Sequence, residues 1–125
     1  MRYLFLIRSD QQSTPSPELI TAMHELAKRE VEAGRMISDG GLAPPKAGAE
    51  IRMRGGKLKV LDGPFIETKE IIGGFAIFEL PDHAAALASA TEFMSLHQKF
   101  MPDWEGVCEM RPIAGSQVEM IRTGG

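Results

Sequence analysis

Two stretches of this chain are apolar on both alternating faces, and a strand with that pattern must lie inside a sheet and be covered twice. In Arg2–Arg8, Tyr3, Phe5 and Ile7 face one way and Leu4 and Leu6 the other; Phe75–Leu80 is the second such run. Each is followed by a helical pattern. Ser16 and Pro17 supply an N-cap and a first helical residue, and the spacing predicts a helix to Gly34. Leu19, Ile20, Met23, Leu26, Ala27 and Val31 form its apolar face, and Glu18, Glu25, Lys28, Arg29 and Glu32 face water. His24 flanks the apolar face. Asp82 caps a second helix that Pro102 ends, with His83, Leu87, Ala90, Met94, His97 and Met101 on one stripe. Arg35–Asp39 and Val107–Ile113 read as further strands, the latter with Cys108 and Met110 on one face and Val107, Glu109, Arg111 and Ile113 on the other. Gly40-Gly41 and Pro44-Pro45 read as loop.

Between the second and third main strands, Glu50–Arg54 and Lys57–Leu61 flank Gly55-Gly56, the pair that permits positive φ at both corners of a hairpin. The turn fixes the register: Met53 opposite Leu58 and Ile51 opposite Val60 on an apolar face, Arg54 opposite Lys57 and Arg52 opposite Lys59 on a cationic one. Like charges placed directly opposite are unfavourable, so this face needs either water or anions. Its lysines and arginines also protect a ribbon from edge-to-edge aggregation.

The order strand, helix, strand, hairpin, strand, helix, strand predicts an α+β, ferredoxin-like βαββαβ unit with an inserted hairpin. Its first and third strands are central, in agreement with the doubly apolar runs. Two helices cover one face of a four-stranded sheet, so the other face requires a second layer, and a second subunit is the simplest one. One domain over residues 1–113 with a tail over 114–125 is expected from 125 residues, 43% of them hydrophobic. A net charge of −3 argues against a general nucleic-acid binder. No apolar run is long enough to span a bilayer and no signal-like segment stands out, so cytoplasmic residence without membrane contact is expected. Cys108, the single cysteine, reads as a small strand hydrophobe.

The densest chemistry lies in Asp62-Gly63-Pro64, a turn stiffened by proline that should push Gly63 toward extended backbone, and in Glu67-Thr68-Lys69-Glu70 after it. Acid, hydroxyl, base and acid without an apolar residue form either a solvated loop or a site whose charges pair with each other or with a ligand. Metal and cofactor chemistry are not expected. The histidines lack ligand spacing, and no glycine pair fits a phosphate or dinucleotide loop.

Asp62-Gly63-Pro64-Phe65, Glu67-Thr68-Lys69-Glu70 and Gly73-Gly74-Phe75 resemble the signature of the DGPF branch of the YCII-related proteins. Leu42-Ala43-Pro44-Pro45 and Glu109-Met110-Arg111-Pro112-Ile113 extend the likeness from Arg2 to Ile113. The resemblance implies a ferredoxin-like fold that dimerises into an α+β barrel. It also implies, from some relatives, small-molecule enzymes that use a His-Asp pair, for which His24 and Asp39 match by rough position.

Two functions follow as expectations. As a cofactor-independent acid/base enzyme of isomerase or lyase type, the protein would use Asp62 or Glu67 as general base and His97 or His24 as the partner acid. Lys69, Glu70, Arg52 and Arg111 would bind the substrate, a small organic anion. As a non-catalytic ligand-binding or regulatory dimer, it would tie the same charges into structural ion pairs.

Overall fold

The structure is a computed structural model that describes residues 1–10, 13–63 and 70–124 of the chain. Strands β1 (Arg2–Ser9), β2 (Met36–Gly41), β5 (Ile71–Glu79) and β6 (Val107–Pro112) form one antiparallel sheet in the order β2-β5-β1-β6. Helices α1 (Pro17–Glu32) and α2 (His83–Phe100) connect β1 to β2 and β5 to β6. This is the ferredoxin-like α+β arrangement, with the two doubly apolar strands at its centre. The inserted hairpin, β3 (Ala49–Arg54) and β4 (Lys57–Asp62), pairs as its turn requires: Met53 lies opposite Leu58 and Arg52 opposite Lys59, with φ of 57° and 75° at Gly55 and Gly56.

Both helices begin on side-chain caps. Ser16 Oγ accepts from Leu19 N–H at 3.2 Å and donates to the Phe100 carbonyl at 3.3 Å, which ties the start of α1 to the end of α2. The Asp82 carboxylate accepts from Ala85 N–H at 2.9 Å. On the helix side of the sheet, Tyr3 lies opposite Phe78 and Phe5 opposite Ala76. These rings meet Ala86 and Ala90 of α2, and with Leu80 they form the buried core; Phe5 and Phe78 meet edge to face, with centroids 5.1 Å apart. Bulky strand residues need small helix residues opposite them to reach interior packing density. That complementarity turns α2 about its axis relative to the stripe read from the sequence. Ala86, Ala90 and His97 are buried, while Leu87 is 53% exposed.

Other departures have equally local causes. Gly40 and Gly41 belong to β2 rather than to a loop, since Gly40 pairs with Phe75 and Gly41 with Gly74. Gly63 has φ of +62°, not extended backbone: lacking a Cβ, it escapes the restriction that proline places on a preceding side chain. Its N–H donates to the Gly48 carbonyl at 2.8 Å, closing the base of the hairpin. The tail contains a short helix, α3 (Gln117–Arg122), capped by Ser116, with Glu119 3.3 Å from Arg2.

The second face of the sheet carries no helix from the α1–α2 layer. Leu4 and Leu6 of β1 and Phe75 and Ile77 of β5 meet there across the strand pair, half-buried. The hairpin forms its own two-stranded sheet, and its apolar face is open: Ile51, Met53, Leu58 and Val60 are between 64% and 76% exposed.

Candidate active site

A cleft of about 780 Å³ lies between α1 and the helix side of the sheet. It exists because the sheet changes bulk along its length. Where Tyr3, Phe5 and Phe78 stand, α2 packs directly on the strands. Toward the other end β5 and β2 contribute only Ala76, Gly74 and Gly41 beside Asp39 to the same face, and a Cβ added at Gly41 would meet nothing closer than the Gly73 carbonyl at 4.0 Å. The missing side chains leave a gap that α1 roofs with Met23, Leu26 and Ala27, and the segment Leu42–Pro44 bounds it on one side.

His24 on α1 and Asp39 on β2 both line this cleft, and both are exposed. Among the described residues neither side chain is engaged in a hydrogen bond or an ion pair, so both are open to a ligand. His97 lines it too, and is buried. Its ring lies between Phe93 and Trp104, with centroids at 4.8 and 4.6 Å, and its Nδ1 is 3.2 Å from the Phe93 carbonyl. A carbonyl can only accept, so Nδ1 carries the proton and Nε2 is left as an acceptor. Gly106 makes this stack possible: a Cβ there would collide with the Trp104 ring. Trp104 and His97 also line a second, smaller cavity, so they form part of the wall between the two.

Glu30 is a lining residue that sequence reasoning passed over. It is 5% exposed. Arg35 donates to its carboxylate through Nε at 2.9 Å, and Arg29 adds a contact at 3.5 Å. The hydrogen bond from Arg35 holds the carboxyl below the usual range against the opposing effect of burial. The available signal was its place on the Leu19, Met23, Leu26 face of α1, with Arg35 five residues on. Cys108 also lines the cleft, and burial pushes its thiol up, away from reactivity.

The other expected site residues lie elsewhere. Asp62 is exposed at the end of β4. Arg52 is on the cationic face of the hairpin, 3.3 Å from Glu50. Glu70 is 3.8 Å from Arg8, Arg8 is 3.4 Å from Glu109, and Glu109 is 3.8 Å from Arg111, a chain of charges organised by an arginine that sequence reasoning did not single out. None of these lines the cleft. Glu67 and Lys69 fall outside the described residues.

Burial pulls the His97 pKa below the ordinary histidine value of about 6.5, with the Phe93 carbonyl acting weakly in the other direction. The folded protein therefore binds this proton less readily than the unfolded chain. The neutral imidazole contributes stability that is fully present above about pH 6.5 and is lost as pH falls through the folded-state value. Glu30 acts in a lower window, below about pH 4.3, because its pKa too is depressed. Denaturant unfolding between pH 7 and 5 should show stability falling with pH, with that slope missing in His97→Gln. A flat profile, or an equal slope in the variant, contradicts the assignment.

The family model for the YCII-related domain matches residues 1–95. An uncharacterized protein of Rhizobium meliloti (strain 1021) is 30% identical over 120 residues, which cover 91% of this chain and 93% of that one. Among solved structures, a divalent cation tolerance protein (Cut A1) from Thermus thermophilus aligns over 98% of this chain and 93% of its own. Its identity is 17% and its TM-score 0.36. The family match takes in β1, α1, the hairpin, β5 and most of α2, and thus His24 and Asp39 of the cleft though not His97; by that match the chain belongs to the YCII-related family.

Proposed function

We propose that the cleft binds a small organic molecule and that His24, assisted by Asp39, moves a proton on it without a cofactor, as an isomerase or lyase would. The observation that carries this reading is the convergence of His24, Asp39 and His97 on one largely apolar cavity of a size suited to a small ligand. A general base has to reach its substrate, and an exposed histidine lining the cleft can do so. His97, fixed by its stack, offers an acceptor deeper in. Glu67 is the alternative base; the segment that carries it leads into Ile71 and Ile72, which line the cleft. The charges of Arg8, Glu109 and Arg111 are then left to the structural network of the other sheet face.

The test is hydrogen exchange at carbon. The protein is incubated in D2O with a panel of small enolisable ketones and lactones, and loss of the α-proton signals is followed by proton NMR. Exchange above the buffer rate, reduced about 10²–10⁴-fold in His24→Gln, is expected. Rates equal to buffer across the panel sink the catalytic reading and leave a binding module.

We further infer a homodimer built on the helix-free sheet face. Leu4, Leu6, Phe75 and Ile77 support this, as apolar side chains that no helix of the α1–α2 layer covers. The open faces of the hairpin and of α3, where Ile121 is 75% exposed, add to the surface that a second copy would remove from water. A two-stranded ribbon by itself is only marginally stable, which also favours a partner. Sedimentation at micromolar concentration should give a dimer that Leu6→Asp converts to monomer. A monomeric wild type, or a variant that dimerises as well as the wild type, contradicts the interface.

A further inference from the structure

The charge of the cleft determines what it can hold. Among the described residues its ionisable lining consists of His24, Glu30, Asp39, His97 and the neutral thiol of Cys108, and no lysine or arginine lines it. Glu30 is already answered by Arg35 and Arg29, whose side chains turn outward with 43% and 53% of their surface exposed. Asp39 is left as the carboxylate without an ion-pair partner among the described residues. The other polar residues of the lining carry no charge of their own that would attract an anion: Ser13, Thr14 and Ser89, with hydroxyls that can accept as well as donate. Aromatic residues on the helix side, Phe5, Phe93 and Trp104, also line the cleft, and aromatic rings attract cations to their faces.

We propose that the cleft selects an organic cation, an amine in its ammonium form on a ring-sized apolar body, over a carboxylate of the same size. This rests on the reading that the cleft is a small-molecule site. The apolar body displaces water from the glycine-floored gap, and the ammonium group donates to Asp39. A bound carboxylate would lose its hydration against Asp39, with no lysine or arginine among the described lining residues to replace it. Of the cations expected to hold an organic anion, Arg52 and Arg111 lie on the hairpin and on the helix-free face, and Lys69 falls outside the described residues.

The experiment compares 2-phenylethylamine, 2-phenylethanol and 3-phenylpropanoate at pH 7, titrated into the full chain. Binding is read from the fluorescence of Trp104, the single tryptophan. The ammonium compound is expected to bind at least tenfold more tightly than the carboxylate, and Asp39→Asn to bring that ratio toward one. Lys69→Met is titrated in parallel. Tighter binding of the carboxylate to wild type, dependent on Lys69, overturns the charge selectivity while the cleft reading stands. A ratio that persists in Asp39→Asn overturns the role given to Asp39. If none of the three compounds perturbs Trp104 at millimolar concentration, the cleft reading falls as well.

Discussion

The packing of Tyr3, Phe5 and Phe78 against the alanines of α2 is the contact on which the rest of the molecule depends. Three rings on one end of the sheet fix the height at which a helix can lie above it, and only small residues allow that helix to come close. The same layer must pass over Ala76, Gly74 and Gly41 at the other end, where β5 and β2 supply little bulk. A rigid helix cannot drop into that gap. The cleft is therefore a consequence of how side-chain volume is distributed along two strands, and its position beneath α1 places His24 and Asp39 at its rim.

Much of this was legible from residue pattern. Central strands announce themselves by apolar residues on both faces, and Gly55-Gly56 fixed the hairpin register because a two-residue turn leaves no freedom to slip. Ser16, Asp82 and Pro102 marked helix ends through hydrogen-bond and φ constraints that are local in sequence. The orientation of α2 was less legible, since its residues are apolar most of the way round and the buried face is chosen by the sheet beneath it. Gly40-Gly41 misled because glycine pairs usually punctuate loops, whereas here they extend β2 past the core.

The site was the least legible part, for a physical reason. Clustered charges between Asp62 and Glu70 attract attention in sequence, but a binding site needs concavity, and concavity arises from residues that are absent or small. Nothing local marks Gly41 and Gly74 as a cavity floor. His97 could be placed on an apolar stripe; that Phe93, Trp104 and Gly106 hold it in one tautomer required the tertiary structure. Glu30 escaped notice because its burial depends on Arg35, which lies beyond the helix end.

Central to the proposed function is that the space left by missing side chains is the place where a ligand binds. The most direct measurement is to map the backbone amides that respond in two-dimensional NMR when a small ring ketone is added, in wild type and in Gly41→Leu. A leucine at Gly41 has room to enter the gap, so the fold should be retained while the space is filled. Wild-type responses should concentrate at Met23, Gly41, Gly74 and Trp104 and be lost in the variant. Responses centred on the β3–β4 hairpin or on the Arg8–Glu109 edge, or an undiminished response in Gly41→Leu, would contradict that placement.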